Sequence, residues 1–299
     1  MYESVKLMLD ALTLNPPPSG DDDETATGTP ADRFTAPSLR MPLARVYGGQ
    51  VMAQALLAAC NTVEADRPIH SLHGYFLRPG DDKQPIDFAI DRIHDGRSFS
   101  TRRTQAYQND TPIFSMISSH QDRDGGFEHQ APMPSNIPAP HELPSATEVL
   151  SGLDHPMADY WANYRPFDLR HVEGPIYDMV RGDRVAHQAV WMRTHTDLPD
   201  DPNIHRAAIA WASDYTILEP IFRRHGIAWA SPGLKAASLD HAMWFHRDGR
   251  ADEWMLYVLE SPSAQGGRGL GLGRIYSQDG MLLVSVAQEG MIRASPQEM

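Results

Sequence analysis

Apolar residues recur along this chain with two different periods. Val5, Leu7, Met8, Leu12 and Leu14 fall on helical spacing and predict a short helix within residues 1–14. Between 47 and 63, Val51, Ala55, Leu56, Ala58 and Ala59 predict a second helix, headed by Gly48 and Gly49. Its residues are apolar and small, so it can lie deep against a sheet. The period then changes to two. Runs at 71–78, 85–94, 98–108 and 112–121 alternate apolar or β-branched positions with polar ones, as strands do. Asp95-Gly96 and Asn109-Asp110 supply turns between them. The pattern predicts one buried helix followed by an antiparallel meander.

The same order returns. Residues 122–170 form a connector rich in Pro and acidic residues, with a short helix expected near 145–153. Strands are expected around 172–181 and at 185–194, and a helix over 204–226, where Pro220 predicts a kink or an end. Strand-like runs follow at 235–246, 254–265, 268–278 and 281–293, with a hairpin turn at Asp279-Gly280. Two segments echo each other in letters: HSLHGYFLRPG at 70–80 and ASLDHAMWFHR at 237–247. The chain therefore reads as a duplicated α+β unit. Aligning the copies sets Gln54 opposite Asp214, Ser71 opposite Ser238, and Ser119 or a near neighbour opposite Gln288. The first copy lacks the carboxylate, so the second is expected to hold the chemistry and the first to act mainly as scaffold.

Composition narrows the class. The 299 residues suffice for one large domain or two of about 130–150. Residues 15–40 are rich in Pro, Gly, Asp, Thr and Ser and predict a mobile loop. The expected organisation is an N-terminal helix and loop (1–40), a first unit (41–130), a connector (131–170) and a second, catalytic unit (171–299). A net charge of −13 argues against nonspecific nucleic-acid binding. No run of about 18 apolar residues predicts a membrane span, and acidic residues interrupt the N-terminal stretch, unlike a secretory signal. Cys60 is the single cysteine, so no intrachain disulfide forms, which fits a reducing, cytoplasmic setting.

Several tempting motifs fail their context. There are fourteen histidines, but His70 and His73, like His241 and His246, diverge on strands, and no metal-binding spacing accompanies them. GLGLGR at 269–274 has no helix after it, which a dinucleotide loop requires. Arg102, Arg103, Arg268 and Arg274 read as solvated strand faces rather than phosphate ligands, and Trp211, Trp244, Phe245 and Trp254 as core.

The chain closely resembles the acyl-CoA thioesterase II family. The matching stretches include RVYGGQVMAQAL (45–56), HSLHGYFLRPGD (70–81), DGRSFSTRR (95–103), SDYTILEP (213–220), SLDHAMWFHR (238–247), DEWMLYVLES (252–261) and YSQDGMLLVSVAQEGMIR (276–293). The resemblance implies a double hotdog: two tandem units, each an antiparallel sheet wrapped around a central helix. It implies hydrolysis of acyl-CoA thioesters to a free acid and coenzyme A without a cofactor or metal, and assembly as a homo-oligomer. By motif, the family's catalytic positions fall on Asp214, Ser238 and Gln288. The family more often carries Thr where Ser238 stands; the hydroxyl is kept, but not the methyl that restricts its rotamer. The glycine-rich 266–274 segment also departs from the family's usual residues.

These residue types suit the chemistry. Thioester hydrolysis needs a water held for attack and donors for the developing oxyanion. Asp214 can take a proton from that water, while Ser238 and Gln288 offer neutral hydrogen-bonding groups. N–H groups at the glycine-rich helix start are candidates for the oxyanion. Ser238 lacks a nucleophile elbow and a partner base, so no covalent step is expected. A hotdog enoyl-CoA hydratase or dehydratase, and a non-catalytic acyl-CoA-binding module, remain as alternatives.

Overall fold

The computed structural model describes residues 2–16, 32–150 and 152–294. The first half contains helix α1 (Glu3–Ala11), strand β1 (Asp32–Ala36), helix α2 (Gly48–Cys60) and strands β2 (Ile69–Phe76), β3 (Ile86–Asp95), β4 (Phe99–Gln108) and β5 (Thr111–Gln121). A connector carries the short helix α3 (Ala146–Leu150) and a π-helical turn at Tyr160–Tyr164. The second half contains β6 (Phe167–His171), β7 (His187–Thr194), α4 (Pro202–Ser213), α5 (Glu219–His225), β8 (Lys235–Ser238), β9 (Asp240–Phe245), β10 (Met255–Gln265), β11 (Arg268–Ser277) and β12 (Leu282–Arg293).

Among the described residues, all strands join one antiparallel sheet of twelve, in the order β1-β3-β4-β5-β2-β9-β12-β11-β10-β7-β6, with β8 also on β12. The seam between the halves is β2 against β9, where Leu72 pairs with Met243 and His73 with Ala242. Both central helices face the same core. On α2, every residue from Gly49 to Cys60 is buried, and each large apolar side chain hidden there contributes about 1.5–3 kcal/mol. The small residues let α2 approach α4 closely: a Cβ on Gly49 would stand 2.4 Å from the carbonyl oxygen of Trp211.

Local chemistry sets the ends of the second helix. Asp201 caps α4 by accepting from the Asn203 N–H (2.8 Å), and Pro202 occupies its first turn. The single helix expected over 204–226 is instead two, separated by a turn at 214–218. Pro220 has no N–H to continue an α-helical ladder, so it sits in the first turn of α5, where none is needed. Gly226 ends α5 in the left-handed region at φ +68°.

Three further expectations change. Asp32–Ala36, expected as loop, is a strand that pairs with Ile86–Ile90 of β3; residues 17–31 of the same stretch lie outside the described residues. The strand expected at 172–181 is displaced to 167–171, because β7 pairs with Phe167–His171 and the carbonyls of Ile176 and Tyr177 accept instead from Trp229 and Ala230. Trp244, expected in the core, is 45% exposed on the outer face of the sheet.

The register also moves the echo by two residues. The pairing of β2 with β5 slips between Ile69 and Ser71, and the pairing of β12 slips between Ser238 of β8 and Ala242 of β9. The two bulges correspond, so Ile69, not Ser71, is the counterpart of Ser238. Gln288 then corresponds to Ser118, inside the expected neighbourhood of Ser119.

Candidate active site

Three separate elements bring Asp214, Ser238 and Gln288 together. Asp214 is the first residue beyond α4. Ser238 closes β8, beside Gly290 of β12, and Gln288 lies two residues earlier on β12. Ser238 Oγ donates to Asp214 Oδ1 at 2.9 Å, and Gln288 Nε2 donates to Ser238 Oγ at 3.0 Å. The other carboxylate oxygen, Oδ2, accepts from the backbone N–H of Gly49 at 2.9 Å.

That last donor comes from the first half of the chain, and glycine is what lets it arrive. A Cβ on Gly48 would stand 2.8 Å from Asp214 Oδ2. The glycine pair therefore brings the positive N-terminal end of α2 onto the carboxylate. Tyr47 secures the same approach: its hydroxyl donates to the Trp211 carbonyl (2.8 Å), and its ring stacks on Tyr215 with centroids 4.8 Å apart.

Burial opposes these donors. It raises the Asp214 carboxyl from its ordinary 3.8 to about 6, with Ser238, Gln288 and the Gly49 N–H pulling the other way. The carboxylate is then mostly ionised at neutral pH yet basic enough to take a proton, the condition for a general base. A second buried layer lies behind it. His241 is fully buried, and burial lowers its imidazole to about 4, so the ring is neutral. Its Nδ1 meets Gln288 Oε1, and its Nε2 lies 3.0 Å from Ser213 Oγ.

The three residues line a cavity of about 810 Å³. Its wall is built from both halves and from the connector: Tyr47, Val51 and Phe76 from the first half, His155, Met157 and Trp161 from the connector, and Leu218, Trp229 and Leu234 from the second. The lining is largely apolar, with the acid–amide–hydroxyl group set into it, the usual character of a small-molecule pocket. Arg165 also lines it, 6% exposed. Its guanidinium lies 4.7 Å from the Tyr215 ring centroid, and its Nη1 donates to Tyr177 Oη at 3.1 Å.

Other residues singled out in the sequence have different places. Gln54 sits mid-α2 and donates to the carbonyls of Ala11 and Pro37, tying down the N-terminal segment. Ser71 lies at the β2–β9 seam opposite Trp244. His70 contacts Ser119 Oγ at 2.8 Å, and His73 meets Asp240 at 3.1 Å. Arg102, Arg103, Arg268 and Arg274 are paired with Asp95, Asp91, Glu289 and Glu260. Among the described residues, no group of three or more His, Cys, Asp or Glu side chains could hold a metal ion, and no helix is long and apolar enough to cross a membrane.

Sequence reasoning missed Tyr47, His241 and the connector wall. It read the glycine pair as a helix start and an oxyanion candidate, not as the donor to Asp214. The spacing of His241 to His246 carries no sign of its role, which comes from its place on β9, the strand paired with the β12 of Gln288.

Comparisons with known proteins show the family. The family model described as "Acyl-CoA thioesterase" matches residues 165–291, and that described as "Acyl-CoA thioesterase N-terminal domain" matches residues 37–121. Acyl-CoA thioesterase 2 of Haemophilus influenzae is 36% identical, over 88% of this chain and 92% of that protein. Human acyl-coenzyme A thioesterase 8 is 37% identical, over 89% and 86%. The crystal structure of an acyl-CoA thioesterase II from Mycobacterium marinum superposes with a TM-score of 0.76 at 36% identity, covering 97% of this chain and 99% of that one. A protein from Alicyclobacillus acidocaldarius solved as a hot dog fold matches at TM-score 0.74 and 19% identity, over 97% and 98%, a likeness of fold.

Proposed function

The chain belongs to the acyl-CoA thioesterase family and is a thioester hydrolase, and from that premise we propose that Asp214, Ser238 and Gln288 drive direct attack of water on the thioester of an acyl-CoA. The fold we propose is the double hotdog, with β2 and β9 as the seam between its two units. The observation that carries the mechanism is the convergence of a half-buried carboxylate of raised pKa with two neutral hydrogen-bonding groups at the wall of one apolar cavity.

In this mechanism the acyl chain occupies the apolar part of the cavity and the thioester carbonyl lies beside Asp214. Ser238 and the Gly49 N–H hold the carboxylate in place. Gln288 uses one N–H on Ser238 and has its second for the attacking water. Water oxygen bonds to the carbonyl carbon as its proton passes to Asp214. The N–H of Gly48, at the head of α2, is the donor we assign to the oxyanion. The tetrahedral intermediate then collapses with cleavage of the C–S bond. Asp214 returns its proton to sulfur, leaving coenzyme A as the thiol and the acyl group as the free acid.

A panel of saturated and 2-enoyl-CoA substrates of increasing chain length, followed by thiol release and by product mass, tests the reading. Equal amounts of free thiol and free acid are expected. Hydration of the enoyl group without thiol release, or tight binding without turnover, would contradict it.

A further inference from the structure

The mechanism leaves unused the buried group in contact with Gln288: His241, which touches it from the side away from Ser238. Counting protons around this contact gives it a direction. Asp214, when ionised, has only acceptor oxygens, so the single hydroxyl hydrogen of Ser238 goes to Asp214 Oδ1. Ser238 Oγ must then accept from Gln288, which places the amide nitrogen at Ser238 and the amide oxygen at His241. An oxygen facing Nδ1 requires that nitrogen to carry the ring proton. In the neutral ring Nε2 is then bare and lies 3.0 Å from Ser213 Oγ, whose single hydrogen it shares with the Ala210 carbonyl at 2.8 Å. From the imidazole onward the donors run one way, His241 to Gln288, Gln288 to Ser238 and Ser238 to Asp214.

We infer that His241 is the positioning residue of this site: its Nδ1–H, donated to Gln288 Oε1, locks the Gln288 amide with its nitrogen toward Ser238 and the reacting water. Without that donor the amide can turn over. Its oxygen would then face Ser238 and compete with Asp214 for the serine hydrogen, and no amide N–H would remain for the water. His241 touches neither substrate nor water and acts wholly through Gln288. Its surroundings suit this task. The ring is fully buried, it packs in the sheet between Asp240 and Ala242, and Ser213 lies on the helix turn that carries Asp214. One imidazole thereby ties the amide's orientation to the element that positions the base.

The inference rests on the proposed roles of Asp214 and Gln288, and its test separates the two. An Asn side chain places its amide nitrogen near the position of Nδ1, whereas a Gln side chain reaches the position of Nε2. His241→Asn and His241→Gln are both polar and near the ring's size, and differ in which nitrogen they replace. Steady-state thiol release is measured for both, together with Gln288→Ala and the His241→Gln/Gln288→Ala double variant. We expect His241→Asn to keep kcat within a few-fold of wild type. His241→Gln should lose kcat by roughly 10- to 100-fold, the scale seen when an orienting partner is removed from a reactive group, with KM changed less than about twofold. The double variant should be no slower than Gln288→Ala alone, because His241 has nothing left to orient. Equal kcat for the Asn and Gln variants, whether both active or both inactive, would overturn the inference, as would a further large loss in the double variant. Wild-type activity in Gln288→Ala would instead overturn the underlying reading of the site.

Discussion

Asp214 is held where water solvates its charge poorly, and that burden has consequences for both rate and stability. Its folded pKa of about 6 lies above the ordinary 3.8. The native state therefore binds more protons than the unfolded chain between those values. The stability this proton supplies is present in full below about pH 4 and is lost as pH rises through 6. Asp214→Asn carries no charge at any pH, so it should gain on the wild type as pH increases, by about 1–2 kcal/mol between pH 4 and pH 8. That figure is below the full shift because the carboxylate faces an open cavity. Thermal melts across pH will read it; a pH-independent difference would count against the buried charge. Ser238 tests the neutral side of the site. Ser238→Ala removes a hydrogen bond to a charged group, a loss of about 1.5–3 kcal/mol, or roughly 10- to 150-fold in kcat. Ser238→Thr keeps the hydroxyl and should retain most activity; equal losses in both variants would show that the hydroxyl does not orient Asp214.

At the scale of elements, the glycines of β11 explain what their sequence did not. Gly271 pairs with Gln288 across the sheet, and a Cβ there would stand 2.2 Å from the carbonyl oxygen of Ile217. Gly269 similarly faces Ile221. These positions let the 214–218 turn and α5 lie directly on the strand, which fixes the height of Asp214 above Gln288. Gly271→Ala should destabilise the fold by about 1–3 kcal/mol through overpacking, and lower kcat more than Gly126→Ala, where an added Cβ meets nothing within 4 Å. Chemical denaturation and thiol-release rates on both variants will check this. The strand periods were legible, and Asn109-Asp110 forms the expected turn with φ of +49° and +58°. The division of the second helix was half legible: Pro220 marked an end, but its cause, the close strand beneath the turn, depends on residues some fifty positions away. Strand β1 was not legible, because a five-residue edge strand beside a polar stretch carries little periodic signal.

At the scale of the molecule, duplication divides the labour less cleanly than the letters suggested. Motif reading found Asp214, Ser238 and Gln288, and the structure brings them together. It could not show that the first half supplies the Gly49 N–H and the Tyr47 brace, since those contacts span more than 160 residues. The connector also walls the cavity, with His155, Met157 and Trp161. Both halves should therefore be needed for activity. Residues 131–299 expressed alone should release no thiol, and adding residues 1–130 in trans should restore turnover; full activity in the isolated second half would refute a composite site. The central claim, that Asp214 activates the attacking water, is tested most directly by thiol release from acyl-CoA by Asp214→Asn beside wild type under saturating substrate. The account predicts a fall in kcat of roughly 10²- to 10⁴-fold with acyl-CoA binding retained. A kcat within a few-fold of wild type would contradict it.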